Sequence, residues 1–197
     1  PTEQNFKDFI DANLNQKDDG IVKIPDGPIA VQSATQSEEL LHFYKDFKDV
    51  SPSWTLSQKS GTRNGFSIAS GGSSKLFIDA ANGNIGVNLS TPPMAKLHVY
   101  EETGSAATPN SGSLLLEHGN SGGQSSIVFK SKSGAGTDYG YLSFIDNIPG
   151  GSGKVSLLTI GSVGDAGDHI ALMPGGNDGF VGIGTQKPEG RLHIYEQ

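Results

Sequence analysis

One sequence signature occurs twice in this chain of 197 residues, and the repeat constrains the fold more than any other feature. Residues 84–88 read NIGVN and residues 96–101 read KLHVYE, while the second copy reads FVGIG at residues 180–184 and RLHIYE at residues 191–196. The copies lie about 95 residues apart and differ in spacing by one residue, a match too long for chance. We therefore predict two related structural modules, each ending on this signature.

The residue pattern within the signature predicts short β-strands. In residues 97–99 hydrophobic and polar side chains alternate, which is the period of two of a half-buried strand. Glycine within a strand is destabilising unless another segment comes close, so Gly86 and its counterpart Gly182 indicate tight packing between strands or between chains. Pro93 and Pro188 lack a backbone donor and predict a turn between the two strands of each signature.

Other short hydrophobic runs follow residue 53, separated by turn residues at positions 64–65, 71–72 and 82–83. Strands of about four to six residues at spacings near 12 are typical of an all-β region. The further predicted strands cover residues 54–57, 66–68, 76–78, 113–117, 126–130, 141–145, 155–160 and 170–173.

The N-terminal residues have a different pattern. Hydrophobic side chains at helical spacing predict helices over about residues 3–14 and 36–49, and residues 35–38 (TQSE) can form a capping box at the start of the second helix. Residues 21–28 predict a strand that runs into a turn.

Three segments are therefore predicted. Residues 1–52 form a helix-bearing attachment or capping element, residues 53–103 the first β module and residues 104–197 the second. Hydrophobic residues make up only 34% of the chain and glycine occupies 28 positions. This is enough to fold, but the short runs cannot easily build one continuous core, so we expect burial between chains.

Charge and cysteine content exclude several classes of function. The chain has no cysteine, which excludes disulfides, thiolate zinc sites and cysteine nucleophiles. A net charge of -7 opposes binding to phosphate backbones and to anionic bilayers. No hydrophobic run is long enough to span a membrane, and the first residues do not resemble a signal peptide. We expect no nucleic-acid partner and no membrane insertion.

No catalytic residue is predicted. Residues 119–123 match the pattern G-x-S-x-G, but a nucleophile elbow requires a helix after the serine, and residues 124–129 predict a strand. Residues 150–155 resemble a phosphate-binding loop only superficially, because Ile148 and Val155 occupy positions that require glycine and a hydroxyl residue.

No metal or other cofactor is predicted either. None of the five histidines has the spacing of a metal site. His98 and His193 occupy equivalent places in the repeat, so a trimer offers one way to bring three copies of either together around an ion. Asp165 and Asp168 lack the spacing of a calcium loop.

The segment VGIGT at residues 181–185, followed by Pro188 and LHI at residues 192–194, resembles a motif of bacteriophage tail fibres and tailspikes and of the fibres of contractile injection systems. Residues 76–78 and 84–87 look like the lead-in of the same motif. The resemblance covers about half of the chain and is strongest at residues 75–101 and 168–197.

This resemblance implies a mainly β, intertwined homotrimeric fibre with a small helix-containing N-terminal element, located on a virion tail or an extracellular particle surface. It implies attachment to a bacterial surface glycan or outer-membrane receptor, with residues 1–52 docking onto a baseplate or tail protein. Residues 88–90 (NLS) depart from the Gly-Thr usual in the family. The Ser-Asp-x-Arg-Leu-Lys stretch of a self-cleaving chaperone is absent from the sequence, so trimerisation is expected to be intrinsic or assisted by another protein.

Sugar binding is the chemistry that the polar and aromatic residues fit best. Aromatic faces stack on pyranose rings, while amides and carboxylates bind the hydroxyl groups. The candidate ligand-binding residues are Tyr139, Tyr141, Asp138, Asn120 and His118, with Trp54 as an alternative anchor.

Two other functions stay open from the sequence. The first is a monomeric or dimeric β-sandwich lectin. The second is a polysaccharide depolymerase, in which Asp138 and Asp146 would supply the two carboxyl groups of glycoside cleavage.

Overall fold

The protein is mainly β, as predicted, in a computed structural model that describes residues 2–5, 20–23, 25–33, 38–132, 137–147, 155–175 and 179–196. These residues contain thirteen strands in four sheets, and their helical content is a single turn at residues 3–5. The chain divides into two compact units, Pro1–Leu115 and Leu116–Gln197. The predicted boundaries at residues 52 and 103 stay predictions.

The first unit contains a two-stranded hairpin and a six-stranded sheet. The larger sheet follows chain order, and each of its neighbouring strand pairs is antiparallel except the last, which is parallel. The hairpin consists of β1 (Ile21–Lys23) and β2 (Ile29–Val31). The sheet consists of β3 (Glu39–Phe43), β4 (Trp54–Ser60), β5 (Arg63–Ser70), β6 (Ser73–Asp79), β7 (Ile85–Val87) and β8 (Leu97–Val99).

The turn predicted at residues 71–72 is confirmed and connects β5 to β6. Gly71 and Gly72 have φ values of 58° and 74°, which are the positive values that both central residues of a type I′ hairpin turn require. The turn predicted at residues 64–65 is wrong, because both residues lie inside β5. Gly65 is needed there for space, since a Cβ atom at this position would lie 2.7 Å from the ring of Phe77.

The interior of the first unit is small and centres on Phe77, which is fully buried. The guanidinium of Arg63 lies 4.4 Å from the centre of the Phe77 ring, a cation–π contact. The same guanidinium donates hydrogen bonds to the carbonyl oxygens of Ser60, Leu89 and Thr91. Arg63 therefore ties the β4–β5 hairpin to the loop that follows β7.

The repeated signature forms the same substructure twice. In each copy two three-residue strands pair in parallel, β7 with β8 and, in the second unit, β12 (Val181–Ile183) with β13 (Leu192–Ile194). The close approach predicted at Gly86 is confirmed, because a Cβ atom there would lie 2.7 Å from Leu89 and 3.2 Å from Pro93. The connecting loop thus packs on the glycine and returns the chain to the start of the first strand.

The second unit contains a three-stranded antiparallel sheet in the order β11-β10-β9. These strands agree with three predicted segments, whereas residues 113–117 and 170–173 form no strand. Those two segments are hydrophobic, but they are exposed and pair with no other strand in the described parts of the chain. The sheet consists of β9 (Gln124–Lys130), β10 (Tyr139–Ile145) and β11 (Leu157–Val163).

The helix predicted over residues 36–49 is wrong. Residues 39–43 form β3, which pairs with β4 across a bulge, and Glu38 has a φ of 52°, which a helical turn does not allow. Glu38 instead forms an ion pair with Lys59 of β4. Pairing with a neighbouring strand outweighs helical spacing in so short a run. Of the first predicted helix, residues 6–14 lie outside the described residues, as do residues 35–37 of the proposed capping box.

Replacing Arg63 tests whether this side chain holds the first unit together. We expect Arg63→Met to lower the free energy of unfolding by about 2–4 kcal/mol. This is less than the sum of three hydrogen bonds from a charged donor at roughly 1.5–3 kcal/mol each, because Arg63 is only half-buried and water replaces part of what is lost. Urea denaturation measures the change. Lys75→Met is the control, because Lys75 is exposed. Equal losses in the two variants would contradict the role given to Arg63.

Candidate ligand-binding surface

The structure brings two of the predicted ligand-binding residues together. Tyr139 and Tyr141 alternate on β10 and therefore lie on the same face of the sheet. Their rings are 5.8 Å apart, with an angle of 43° between the planes. With side chains from β9 they line an open groove of about 440 Å³, which we call the tyrosine groove. Its other lining residues are Gln124, Ser126 and Val128.

Strand register explains why the tyrosine groove forms. Tyr141 pairs with Val128 on β9 and with Gly161 on β11, so all three point to one face. A Cβ atom at Gly161 would overlap the ring of Tyr141, which means that the ring lies over the glycine. Tyr141 is half-buried as a result, whereas Tyr139 is 37% exposed.

The polar part of the groove comes from β9. The side-chain amide of Gln124 donates a hydrogen bond to the hydroxyl of Ser143, which is 2% exposed and whose strand position lies on the groove face. This contact fixes the orientation of the amide beside the tyrosines. Two aromatic rings with a fixed amide and the Ser126 hydroxyl suit a ring-shaped polar ligand, because apolar faces and a few placed polar groups define such sites.

Gln124 and Ser126 were missed by the sequence analysis. Their period-two spacing on a predicted strand was visible, but only the pairing of β9 with β10 shows that they share a face with the tyrosines. Neither residue type is distinctive by itself. Predicting these two residues would therefore have required the pairing register between β9 and β10.

His118 and Asn120 lie in a different place, a polar pocket of about 510 Å³ beside the turn that precedes β9. The Nδ1 atom of His118 is 3.0 Å from the hydroxyl of Ser125, and its Nε2 atom is 3.4 Å from Asp146. Asp146 also accepts a hydrogen bond of 2.6 Å from the backbone of Gly122. His118 therefore links the turn to the end of β10, which is a structural role.

Asp138 does not line the groove, and Trp54 belongs to the first unit. Asp138 precedes β10 and lies near Gly164, where a Cβ atom would be 3.2 Å from its carboxyl carbon. Trp54 begins β4 in the first unit and is 45% exposed. Of the five predicted residues in the second unit, the two tyrosines share the groove and His118 and Asn120 share the polar pocket, while Asp138 lines neither.

The carboxylate pair considered for glycoside cleavage is too far apart within one chain. Asp138 and Asp146 flank the seven-residue strand β10 at opposite ends. At about 3.3 Å per residue their backbones are roughly 26 Å apart, whereas the two carboxyl groups of a glycosidase lie about 5–9.5 Å apart.

Ser121 of the G-x-S-x-G pattern is followed by the strand β9, as predicted, and not by a helix.

His98 and His193 have equivalent roles in the repeat. The backbone N–H of Met94 donates to Nδ1 of His98 over 3.4 Å, and that of Glu189 donates to Nδ1 of His193 over 3.1 Å. Each histidine therefore stabilises the loop between the two parallel strands. Among the described residues no group of three or more metal-ligating side chains comes together.

Comparison with known proteins gives no family for the chain. No protein-family model matches it, and neither a curated protein nor a solved structure does. The similarity to tail fibres therefore rests on the residues of the repeated signature. Within the described ranges, no helix has the length and hydrophobicity to cross a membrane.

Replacing His118 tests its structural role. We expect His118→Ala to destabilise the turn at residues 119–123 by about 1–2 kcal/mol, because the hydrogen bond with Ser125 and the contact with Asp146 are lost. Amide hydrogen exchange of residues 119–125 should become faster. His169→Ala is the matched control, since His169 is exposed. Unchanged exchange in His118→Ala would show that the histidine does not stabilise the turn.

Proposed function

We propose that this protein is a noncatalytic structural and receptor-binding segment of a homotrimeric fibre that attaches to a bacterial surface. The observation that carries the proposal is the scarcity of buried hydrophobic residues. Among the described residues only Phe77 and Leu89 are buried large hydrophobic side chains, whereas 35 such side chains are exposed. A chain in this condition gains most by associating with others.

The total surface area supports the same conclusion. The solvent-accessible surface of the single chain is 15811 Å². A compact monomer of this mass exposes about 8,900 Å², and two separate compact domains of half the mass about 10,700 Å². The isolated chain thus exposes more surface than a compact fold does, and the proposed contact with identical chains would cover part of it.

The alternative of a β-sandwich lectin has less support. A sandwich requires two sheets packed face to face. In the second unit both faces of the β9–β11 sheet carry exposed large hydrophobic side chains, such as Phe129 on one face and Leu157 on the other. Packing against a second sheet would bury one of these faces, so the described residues give this sheet no sandwich core.

The tyrosine groove is the proposed receptor-binding surface, and a bacterial surface glycan is the proposed ligand. Sugar rings stack on aromatic faces through their C–H groups, and their hydroxyl groups are bound by amides and hydroxyls. Tyr139, Tyr141 and Gln124 supply these groups side by side. The N-terminal residues 1–52 are the proposed attachment to a baseplate or tail protein, which would locate the protein on a virion tail or similar particle.

The oligomeric mass tests the proposal most directly. We expect sedimentation equilibrium in dilute buffer to give about 62 kDa, three times the chain mass of 20.6 kDa, because association covers the exposed hydrophobic surface. A mass near 21 kDa would contradict the fibre and favour the lectin.

Glycan binding tests the groove. We expect a glycan array to identify a bacterial surface glycan, and Tyr141→Ala to bind it about tenfold more weakly, since one aromatic contact contributes roughly 1.4 kcal/mol. Tyr195→Ala is the control, because Tyr195 is exposed and lies outside the groove. Equal affinity of Tyr141→Ala and the unchanged protein would exclude the groove as the binding site.

A further inference from the structure

We infer that copies of this chain meet through one particular face of the β9–β11 sheet, opposite the tyrosine groove. This inference rests on the proposed homotrimer and specifies which surface holds it together. We call this surface the apolar face. It is defined by its six large side chains, Ile127, Phe129, Leu142, Phe144, Leu158 and Ile160.

The strand register places these six side chains on one face. Leu142 of β10 pairs with Ile127 on one side and with Ile160 on the other. Phe144 pairs with Leu158 in the next row on the same face, and Gly140 pairs with Phe129. Because side chains alternate along a strand, the tyrosines at positions 139 and 141 lie on the opposite face.

The apolar face is exposed to a degree that is unusual for a sheet. The exposed fractions are 62% for Phe129, 68% for Leu158 and 53% for Ile160, and those of the other three side chains lie between 36% and 44%. At about 200 Å² for a fully exposed large side chain, these fractions correspond to about 600 Å² in each chain. A soluble monomer seldom exposes a contiguous hydrophobic patch larger than a few hundred Å².

The area is suitable for contact between copies of the chain. Two such faces together supply about 1,200 Å², which is the lower limit for a specific protein interface before neighbouring residues are counted. In a homotrimer, three faces turned toward a common axis would form one shared core. The three tyrosine grooves would then point outward, where a receptor can reach them.

Charge also favours a second copy as the occupant. Each chain carries a net charge of -7, so identical chains repel one another wherever acidic residues meet. On the apolar face of β9, β10 and β11 the remaining positions are Ser125, Gly140 and Ser162, and none of its side chains is charged. Ser162 donates a hydrogen bond to the Asp168 carboxylate at the edge of this face. Identical copies can therefore approach over the hydrophobic centre of the face without burying like charges, while the Asp168 edge stays in solvent.

Adjacent leucines on β11 allow a matched test. Leu158 lies on the apolar face, whereas Leu157 lies on the groove face and is 47% exposed. We expect Leu158→Asp to dissociate the protein from about 62 kDa to about 21 kDa at micromolar concentration, because association would bury three carboxylates. Leu157→Asp should keep the mass of the unchanged protein. Circular dichroism establishes that both variants retain their β structure.

A second measurement avoids the introduced charge. The chain has no cysteine, so a single cysteine can be labelled cleanly. We expect Leu158→Cys to react with a maleimide at least tenfold more slowly than Leu157→Cys, because only the first is covered by neighbouring copies. This result does not depend on whether Leu158→Asp folds.

The outcomes separate this inference from the proposed function. If the unchanged protein is a trimer, Leu158→Asp also stays trimeric and Leu158→Cys reacts as fast as Leu157→Cys, the apolar face is not the interface. The proposed fibre would be unaffected by that result. A dimer with a protected Leu158→Cys would support the apolar face and contradict threefold symmetry. A monomer with rapid labelling at both positions would overturn both.

Discussion

The structure depends on one constraint, which is that hydrogen-bonded strands are plentiful while buried hydrophobic surface is scarce. Backbone hydrogen bonds contribute little net free energy, because the unfolded chain makes them with water. In the first unit the only buried aromatic ring of the described chain, Phe77, is covered on one side by the Arg63 guanidinium. The interior of the described first unit is therefore small, and the proposed association would cover hydrophobic side chains that the described residues leave exposed.

The sequence predicted most strands of the fold because alternation and turn residues are local signals. The repeat was equally informative, since Gly86 has the close contacts that its position in a strand indicated. Helical spacing over residues 36–49 misled because a short hydrophobic run fits either structure, and the choice depends on whether β4 is available as a partner. The strand predicted over residues 113–117 was wrong for the opposite reason. These residues are hydrophobic, but they have no partner strand among the described residues and so form no strand.

The candidate site was predictable only where its geometry is local. Tyr139 and Tyr141 share a face because they are two residues apart on one strand. Gln124 joins them through pairing between two strands that eight residues separate along the chain, and no pattern in the sequence fixes that register. His118 stays a predicted binding residue that lines the polar pocket, and the sequence did not show that its contacts with Ser125 and Asp146 also stabilise a turn.

In the sheet of the second unit, odd-numbered and even-numbered residues of β10 point to opposite faces. Odd-numbered residues such as Tyr139 and Tyr141 face the groove, and even-numbered residues such as Leu142 and Phe144 face the opposite side. Point substitutions at odd positions can therefore change the proposed binding surface while the other surface keeps its composition. Inserting a single residue in β10 would move every side chain beyond it to the opposite face. Sequence variation in this strand can therefore take the form of substitutions, but not of insertions or deletions.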